Sequence, residues 1–350
     1  MFCDAHFPLS IKGRELDIYL EYGWFRMGQS IFTTHFLRYN KELKSAIWLK
    51  INLKEYNFDK KHIQLRKLNN KFTLEVKLAS VTPEKEELYA LYKNNAAFEP
   101  SNSIKSLLFS NQENNIFTTY EITVRDQERL IACGYFDIGQ ESAMGISCFY
   151  HPDYKKFSLG KLLIYTKLEI CKKYGFKYFY PGYFVPGNKK FDYKLQIGTS
   201  QLSYLDIYSD KWKPISNFDY AAIPIEIMNS KLNEISELMH SFSMHHQIYF
   251  YQFFDINMSK NICGHLLFDF PKVIIFPFLE NVNEMIFLVF DVRDMQYHLI
   301  QCLSFAHTPP DENQKWKFEN HIFKSFEKLF SSKEAFEIVL ACKHYIPNFQ

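Results

Sequence analysis

The densest chemical signal in the chain lies between Tyr150 and Lys194, where ten lysines and no arginine stand against three acids. Ser158-Leu159-Gly160 opens a run with helical spacing, and the free N–H groups of a helix's first turn suit a phosphate or an oxyanion. Lys155 and Lys156 precede that turn, and Lys189, Lys190 and Lys194 follow it; all five can meet phosphates. Tyr183 and Tyr193 offer rings that stack on unpaired bases, or hydroxyls that donate a hydrogen bond. Asp137 ends the strand-like GYFD, where a carboxylate can orient or deprotonate an amine. Arg26 can hold a carboxylate through two parallel hydrogen bonds. Each has a plain structural alternative: an ordinary N-cap at Ser158, tyrosines in a core, solvated lysines, a surface turn acid at Asp137, an ion pair at Arg26. A basic, aromatic-rich unit of this kind suits a large anionic partner.

Other chemistries find little support. The seven cysteines are scattered, with no CxxC, so neither a zinc knuckle nor a redox pair is indicated. His245-His246 has no Cys or carboxylate at ligand spacing, and no metal site is expected. Unpaired cysteines in apolar runs imply a reducing compartment. With no signal-like start and no apolar run long enough for a membrane, the expected location is the cytoplasm.

The elements that must position these residues are legible from periodicity. IFTTYEITV (116–124), LIACGYFDI (130–138) and SAMGISCFY (142–150) read as an antiparallel meander. HPDYKKF reads as a loop and SLGKLLIYTKLEICKKYG as a helix, with Ser158 as N-cap and Gly175 as its stop. In that helix Leu159, Leu162, Leu163, Thr166, Ile170 and Tyr174 share one face. KYFYPGYF reads as a strand broken at Pro181-Gly182. Earlier, ELDIYLEYG is a short helix, SIFTTHFL and SAIWLKINL are strands, and Thr82-Pro83 starts a helix over EKEELYALYKNN. After about residue 215, HQIYFYQFF, VIIFPFL, MIFLVFDV and YHLIQCLSF read as strands. YAAIPIEIMNSKLNEISELMHSF, WKFENHIFKSFEKLF and SSKEAFEIVLACKHY read as helices.

At 350 residues, 47% apolar and 23% charged, the chain fits two or three soluble globular units. Residues 1–214 carry 31 basic and 23 acidic side chains; the remainder carry 10 and 16, the two halves adding to the chain's +2. A basic front and an acidic back imply units with separate jobs. The expected fold class is α+β. Residues 1–78 form an N-terminal α+β unit, 79–214 a mostly antiparallel core in the strand–loop–helix–strand order of an N-acetyltransferase (GNAT), and 215–350 an α+β appendage.

Several of these residues also carry a family pattern. Gly23-Trp24-Phe25-Arg26-Met27-Gly28, Leu88-Tyr89 with Leu91-Tyr92, Phe149-Tyr150, Pro152-Asp153, Ser158-Leu159-Gly160, Tyr180, Gly182-Tyr183 and Tyr193-Lys194 occur in one order. Over about residues 15–205 the chain resembles the aminoacyl-tRNA–protein transferases, the group of arginyltransferases and bacterial aspartate/glutamate leucyltransferases. The resemblance implies a GNAT-like fold and transfer of an amino acid, arginine or leucine, from aminoacyl-tRNA to a protein's N-terminal α-amine. The acceptor would begin with Asp or Glu, and the product would enter an N-degron pathway. It implies no cofactor beyond aminoacyl-tRNA as co-substrate. Asp137, Tyr183 and Lys194 would be catalytic. Lys155, Lys156, Ser158, Leu159, Gly160 and Tyr193 would bind the donor, and Arg26 with Trp24 the acceptor. Family members often carry cysteine pairs near the N-terminus; here Cys3 stands alone. Two other readings remain open at the level of sequence. One is an acetyl-coenzyme A-dependent N-acetyltransferase, against which Lys155-Lys156 stand where coenzyme-A users place a glycine-rich phosphate loop. The other is a non-catalytic relative that binds tRNA or protein N-termini.

Overall fold

The protein is described from a computed structural model, covering all residues except 40, 96–99, 111, 263, 278–280, 311–313 and 347–350. Of the cysteines weighed above, Cys263 lies outside the described residues; the other six are unpaired.

The first 45 residues wrap one end of the molecule. A three-stranded sheet ordered β1-β3-β2 uses β1 (Cys3–His6), β2 (Phe25–Met27) and β3 (Ser30–Thr34). Helix α1 (Arg14–Glu21) joins β1 to β2, and β4 (Phe36–Tyr39) forms a hairpin with β5 (Glu42–Ser45). The centre is an eight-stranded sheet. Its strands are β6 (Ile47–Asn52), β7 (Thr73–Leu78), β8 (Thr119–Asp126), β9 (Arg129–Ile138), β10 (Ser142–Tyr150), β11 (Tyr178–Phe184), β12 (Leu202–Asp206) and β13 (Lys211–Pro214), in the order β13-β12-β6-β11-β10-β9-β8-β7. Three helices precede its meander: α2 (Lys60–Leu68), α3 (Pro83–Asn94) and α4 (Ile104–Phe109). The boundary expected at residue 79 falls inside this architecture, because β6 and β7 pair with strands that follow it.

Every neighbouring pair in the central sheet is antiparallel except β10 and β11, which run parallel. A parallel pair needs a crossover, supplied by α5 (Leu159–Lys173). Leu159, Leu162, Leu163 and Thr166 share one buried face of α5, and Leu168 and Cys171 are buried as well, whereas Tyr174, expected on that face, is 72% exposed. The segment before it is a short 3-10 turn over Pro152–Phe157.

The parallel ladder is short. Only Ser142–Met144 pair with Tyr178–Tyr180. Beyond them β10 shifts register between Gly145 and Ser147, and β11 between Phe179 and Gly182. The break expected at Pro181-Gly182 is therefore a bulge inside a continuing strand, with Gly182 at φ +87°, a conformation that glycine alone adopts cheaply. The two bulges let β10 and β11 diverge into an open wedge.

The remaining chain forms a second layer. Helices α6 (Pro224–Ser241) and α7 (Ala335–Tyr345) pack on a sheet ordered β14-β15-β16-β17-β18, from β14 (Gln247–Phe250), β15 (Lys272–Ile275), β16 (Glu284–Asp291), β17 (Gln296–His307) and β18 (His321–Ser332). Ile215 and Phe218 still pack on the central core, while Ile223 packs on the C-terminal one. Phe2 and Phe36, from the other end of the chain, complete that C-terminal core. β18 corrects the helix expected over WKFENHIFKSFEKLF. Its apolar residues recur at helical spacing, but β17 offers a long open edge, and ten residue pairs form along it despite three register shifts. Tertiary pairing overrides a local preference here, and Phe326 is left 64% exposed. Among the described residues no helix is long and apolar enough to cross a membrane.

Candidate active site

The wedge between β10 and β11 has a cavity on each side. The first, about 720 Å³, is lined by Tyr39, Tyr92, Tyr150 and Tyr193 together with Lys155, Ser158, Gly160, Lys161 and Lys190. The second, about 600 Å³, is lined by apolar side chains that include Phe25, Met27, Trp48 and Ile146, and by Arg26, Gly182, Tyr183 and Lys194. Phe191 lines both. Four of the six residues expected to bind the donor thus share the first cavity, and three others expected at the site share the second.

Lys194 is the most unusual group of the two cavities. Its ammonium donates to the Tyr183 carbonyl at 2.7 Å and lies 5.4 Å from the Tyr183 ring centroid and 5.5 Å from that of Phe191. No carboxylate among the described residues pairs with it, and burial pushes its pKa down to about 8. A Cβ at Gly182 would stand 3.2 Å from its Nζ, so the bulge glycine makes room for the ammonium. Tyr183 stacks on Phe191 at 5.7 Å and meets Trp48 edge-on at 5.0 Å; Trp48 in turn lies flat against Phe25 at 4.1 Å. A rigid aromatic wall therefore holds Lys194 in place.

Ser158 begins α5 but makes no side-chain cap; its backbone is left-handed, at φ 52°. Ser158 thus holds the expected N-cap position without the expected side-chain cap. With no cap, the N–H groups of Leu159, Gly160 and Lys161 have no acceptor among the described residues. They remain available beside the first cavity. Leu159 contributes only its backbone, because its side chain is fully buried in the core. Lys156 lines neither cavity; its ammonium lies over the Phe157 ring at 5.3 Å.

Asp137 and Arg26 correct two further expectations. They pair with each other at 2.9 Å, with their side chains 0% and 2% exposed. The other guanidinium donors of Arg26 serve the carbonyls of Gly28 and Leu108, the Thr119 hydroxyl and Asn115. Burial raises the Asp137 carboxyl while Arg26 and the Thr119 hydroxyl oppose that rise. With all its donors engaged, Arg26 has none left for an acceptor carboxylate, and Asp137 lines neither cavity. Together they brace the start of β8 against the end of β9. Trp24 packs against His6 with ring centroids 4.3 Å apart and the planes tilted by 38°, and lines neither cavity.

The sequence reading assigned no role to Tyr39, Lys161 or Trp48, nor to Tyr92 and Tyr150, although the last two stand within the quoted motifs. Their chemistry was legible, but which way they face depends on strand and helix packing. For a metal, Asp291, Asp294 and His298 could together offer three ligand atoms. They lie in the C-terminal sheet, where Asp291 already holds Arg293 and His298 bonds Ser331.

Comparison with known proteins fits this geometry. The family model for the arginine-tRNA-protein transferase C terminus matches residues 84–204, a span containing every residue named for the first cavity except Tyr39. An aspartate/glutamate leucyltransferase of Campylobacter jejuni is 28% identical over 188 residues, covering 51% of this chain and 76% of that protein. One of Leptospira interrogans is 25% identical over 221 residues, covering 61% and 83%. Over these spans the chain is similar to the aminoacyl-tRNA–protein transferases. It is an aminoacyltransferase. Among solved structures, a GCN5-related N-acetyltransferase from Kribbella flavida aligns over 44% of this chain and 53% of that one, at 14% identity and a TM-score of 0.27. In this chain the antiparallel meander, the crossover helix and the splayed parallel pair form a mixed α+β core on a mostly antiparallel sheet.

Proposed function

We propose that the protein transfers leucine from leucyl-tRNA to the α-amine of a cytoplasmic protein beginning with Asp or Glu, and that this marks the acceptor for degradation; the relatives' name, aspartate/glutamate leucyltransferase, supports leucyl transfer. The carrying observation is the Lys194 ammonium, paired with no carboxylate among the described residues, in an apolar cavity that shares Phe191 with a basic, tyrosine-lined one. The unpaired 3′ end of the tRNA enters the first cavity. Tyr193 and its neighbours stack on the terminal bases, and Lys155 and the free N–H groups of α5 meet phosphates. The aminoacyl group reaches through the wedge. Its side chain rests on Met27, Trp48 and Ile146, and among the described residues no carboxylate lines that cavity to receive an arginyl guanidinium. This favours leucine over arginine.

The ester is already activated, so positioning supplies much of the acceleration. The neutral α-amine attacks the carbonyl carbon, and the carbonyl oxygen becomes an oxyanion facing Lys194. Collapse breaks the ester C–O bond, forms the amide, and passes the amine's proton to the departing ribose oxygen. Tyr183 acts through its carbonyl, which aims the ammonium. The acceptor's acidic side chain meets the hydroxyls of Ser101 and Ser106, which also line the second cavity.

The test is transfer of radiolabelled amino acid from singly charged tRNAs onto peptides beginning with Asp, Glu, Arg or Ala. Label from leucyl-tRNA on the Asp and Glu peptides alone is expected. Label from arginyl-tRNA would overturn the donor assignment, and label on no peptide would overturn the activity.

A further inference from the structure

Helix α2 is not part of either cavity, yet it continues their charge. Lys60, Lys61, Arg66 and Lys67 are exposed on it, and Lys71 follows its end. The helix is anchored beside the donor cavity by two contacts. His62 meets Glu169 of α5 at 2.8 Å, and Asn69 donates to the Phe157 carbonyl at 3.1 Å. Lys71 and Lys156 then cap one ring, at 4.8 Å and 5.3 Å from the Phe157 centroid. Lys156 adjoins Lys155, which lines the donor cavity. The cations thus form a continuous ridge running from α2 to the cavity mouth.

Nearby acids neutralise it only in part: Glu169 pairs with Arg66 at 3.6 Å, and Asp59 and Asp192 line a cavity with Lys61. The Asp59 carboxylate caps α2 by accepting from the His62 N–H at 2.8 Å, and Glu169 lies between His62 and Arg66. Lys71 and Lys156 face only rings, which leave an ammonium its full charge. Along α2, lysines seven residues apart are separated by about 10 Å, a spacing commensurate with phosphates along a duplex strand.

We infer that α2 and the Lys71–Lys156 pair form a backbone-binding ridge for double-stranded RNA, which seats the acceptor stem of the donor while its unpaired end enters the tyrosine-lined cavity. The argument is charge complementarity plus continuity with that cavity, and it rests on the reading of the cavity as the donor site. The ridge makes no base contacts, so it serves any tRNA stem and leaves discrimination to the aminoacyl group.

The experiment compares two RNAs on the full-length protein as salt is varied: an acceptor-stem minihelix with a single-stranded 3′ end, and that 3′ strand alone. A triple variant, Lys60→Gln, Lys67→Gln and Lys71→Gln, removes exposed cations that carry no structural hydrogen bond. Minihelix binding should weaken by at least about tenfold at low salt, and the slope of log K against log salt should fall by about 3. Binding of the single strand should hold, which also shows the variant is folded. An unchanged minihelix slope overturns the ridge. So does wild-type binding of the single strand as tight as that of the minihelix, or equal binding of heparin. If the wild type binds neither RNA, the donor-site reading fails as well.

Discussion

The two halves of the molecule use the same kinds of element to opposite ends. In the C-terminal sheet β16 and β17 keep eight successive pairs in register, from Glu284 with Leu303 to Asp291 with Gln296. Its core is a continuous mass of Phe, Ile, Leu and Val. Its buried charges gather where the N-terminal segment enters: Asp269 accepts from the Phe2 N–H, and Arg293 stacks on the Phe2 ring at 4.1 Å. The central sheet interrupts its own ladder after three parallel pairs and keeps at the opening an ammonium that no carboxylate among the described residues pairs with. The β16–β17 ladder is uninterrupted, although β17 and β18 shift register three times; the splayed pair instead leaves backbone and side chains lining cavities. Strain and unpaired charge gather where chemistry is done.

The contrast can be broken most severely at Asp137. Asp137→Ala leaves Arg26 buried without its counter-ion, and should destabilise the protein by about 3–5 kcal/mol, measured by urea unfolding. A loss under about 1 kcal/mol would show that the pair is not the brace described here.

Lys194 gives the next largest effect, in two opposite directions. Lys194→Met should lower kcat for transfer by about 10²–10³ with little change in tRNA affinity. The same change should stabilise the fold. The folded-state pKa of about 8 lies below the unfolded value of about 10.4, so the ammonium opposes folding at neutral pH. Its replacement should raise unfolding stability at pH 7 by about 1–2 kcal/mol after solvent screening. That gain should shrink as pH rises from about 8 towards about 10.4. For the same reason wild-type transfer should fall as pH passes about 8. Lys194→Arg, charged throughout this range, should lack that fall. An alkaline limb retained in the arginine variant would assign the titration to another group.

Gly182 ties backbone strain to the site. Gly182→Ala places a side chain at φ +87° and 3.2 Å from the Lys194 Nζ. It should cost about 1–2 kcal/mol of stability and lower kcat by about tenfold through a small displacement of the ammonium. Wild-type kinetics in that variant would separate the bulge from the chemistry. At the far end of the scale, Phe326→Ser on the exposed outer strand of the C-terminal sheet should shift stability by no more than about 0.5 kcal/mol and leave transfer unchanged. A loss of transfer there would mean that the appendage contacts a substrate.

Much of this was legible before any coordinates. SAMGISCFY is β10 to the residue, and the helix after it begins and stops where Ser158 and Gly175 place its ends. The segregation of charge matches the division into a central and a C-terminal layer. Of the ten lysines of residues 150–194, Lys155, Lys161, Lys190 and Lys194 line the two cavities, with Tyr150, Tyr183 and Tyr193. These features follow from short-range physics, since periodicity, turn residues and local charge act within a few positions.

Other features depended on partners distant in the chain. Arg26 and Asp137 are 111 positions apart, and only the register of β9 against β8 beside the β2–β3 turn brings them together. Nothing local to either residue shows that each neutralises the other. β18 took strand form because β17 supplied an edge, overriding a helical pattern in its own residues. The wedge arises from two bulges on strands joined by a crossover helix, and it alone decides which lysines face a cavity, which face solvent, and that Lys194 pairs with no carboxylate among the described residues. The sequence by itself determined the elements, the charge and the inventory of reactive groups. Their pairing and exposure were decided by tertiary structure, because a side chain's electrostatic environment is set by what the rest of the fold packs against it.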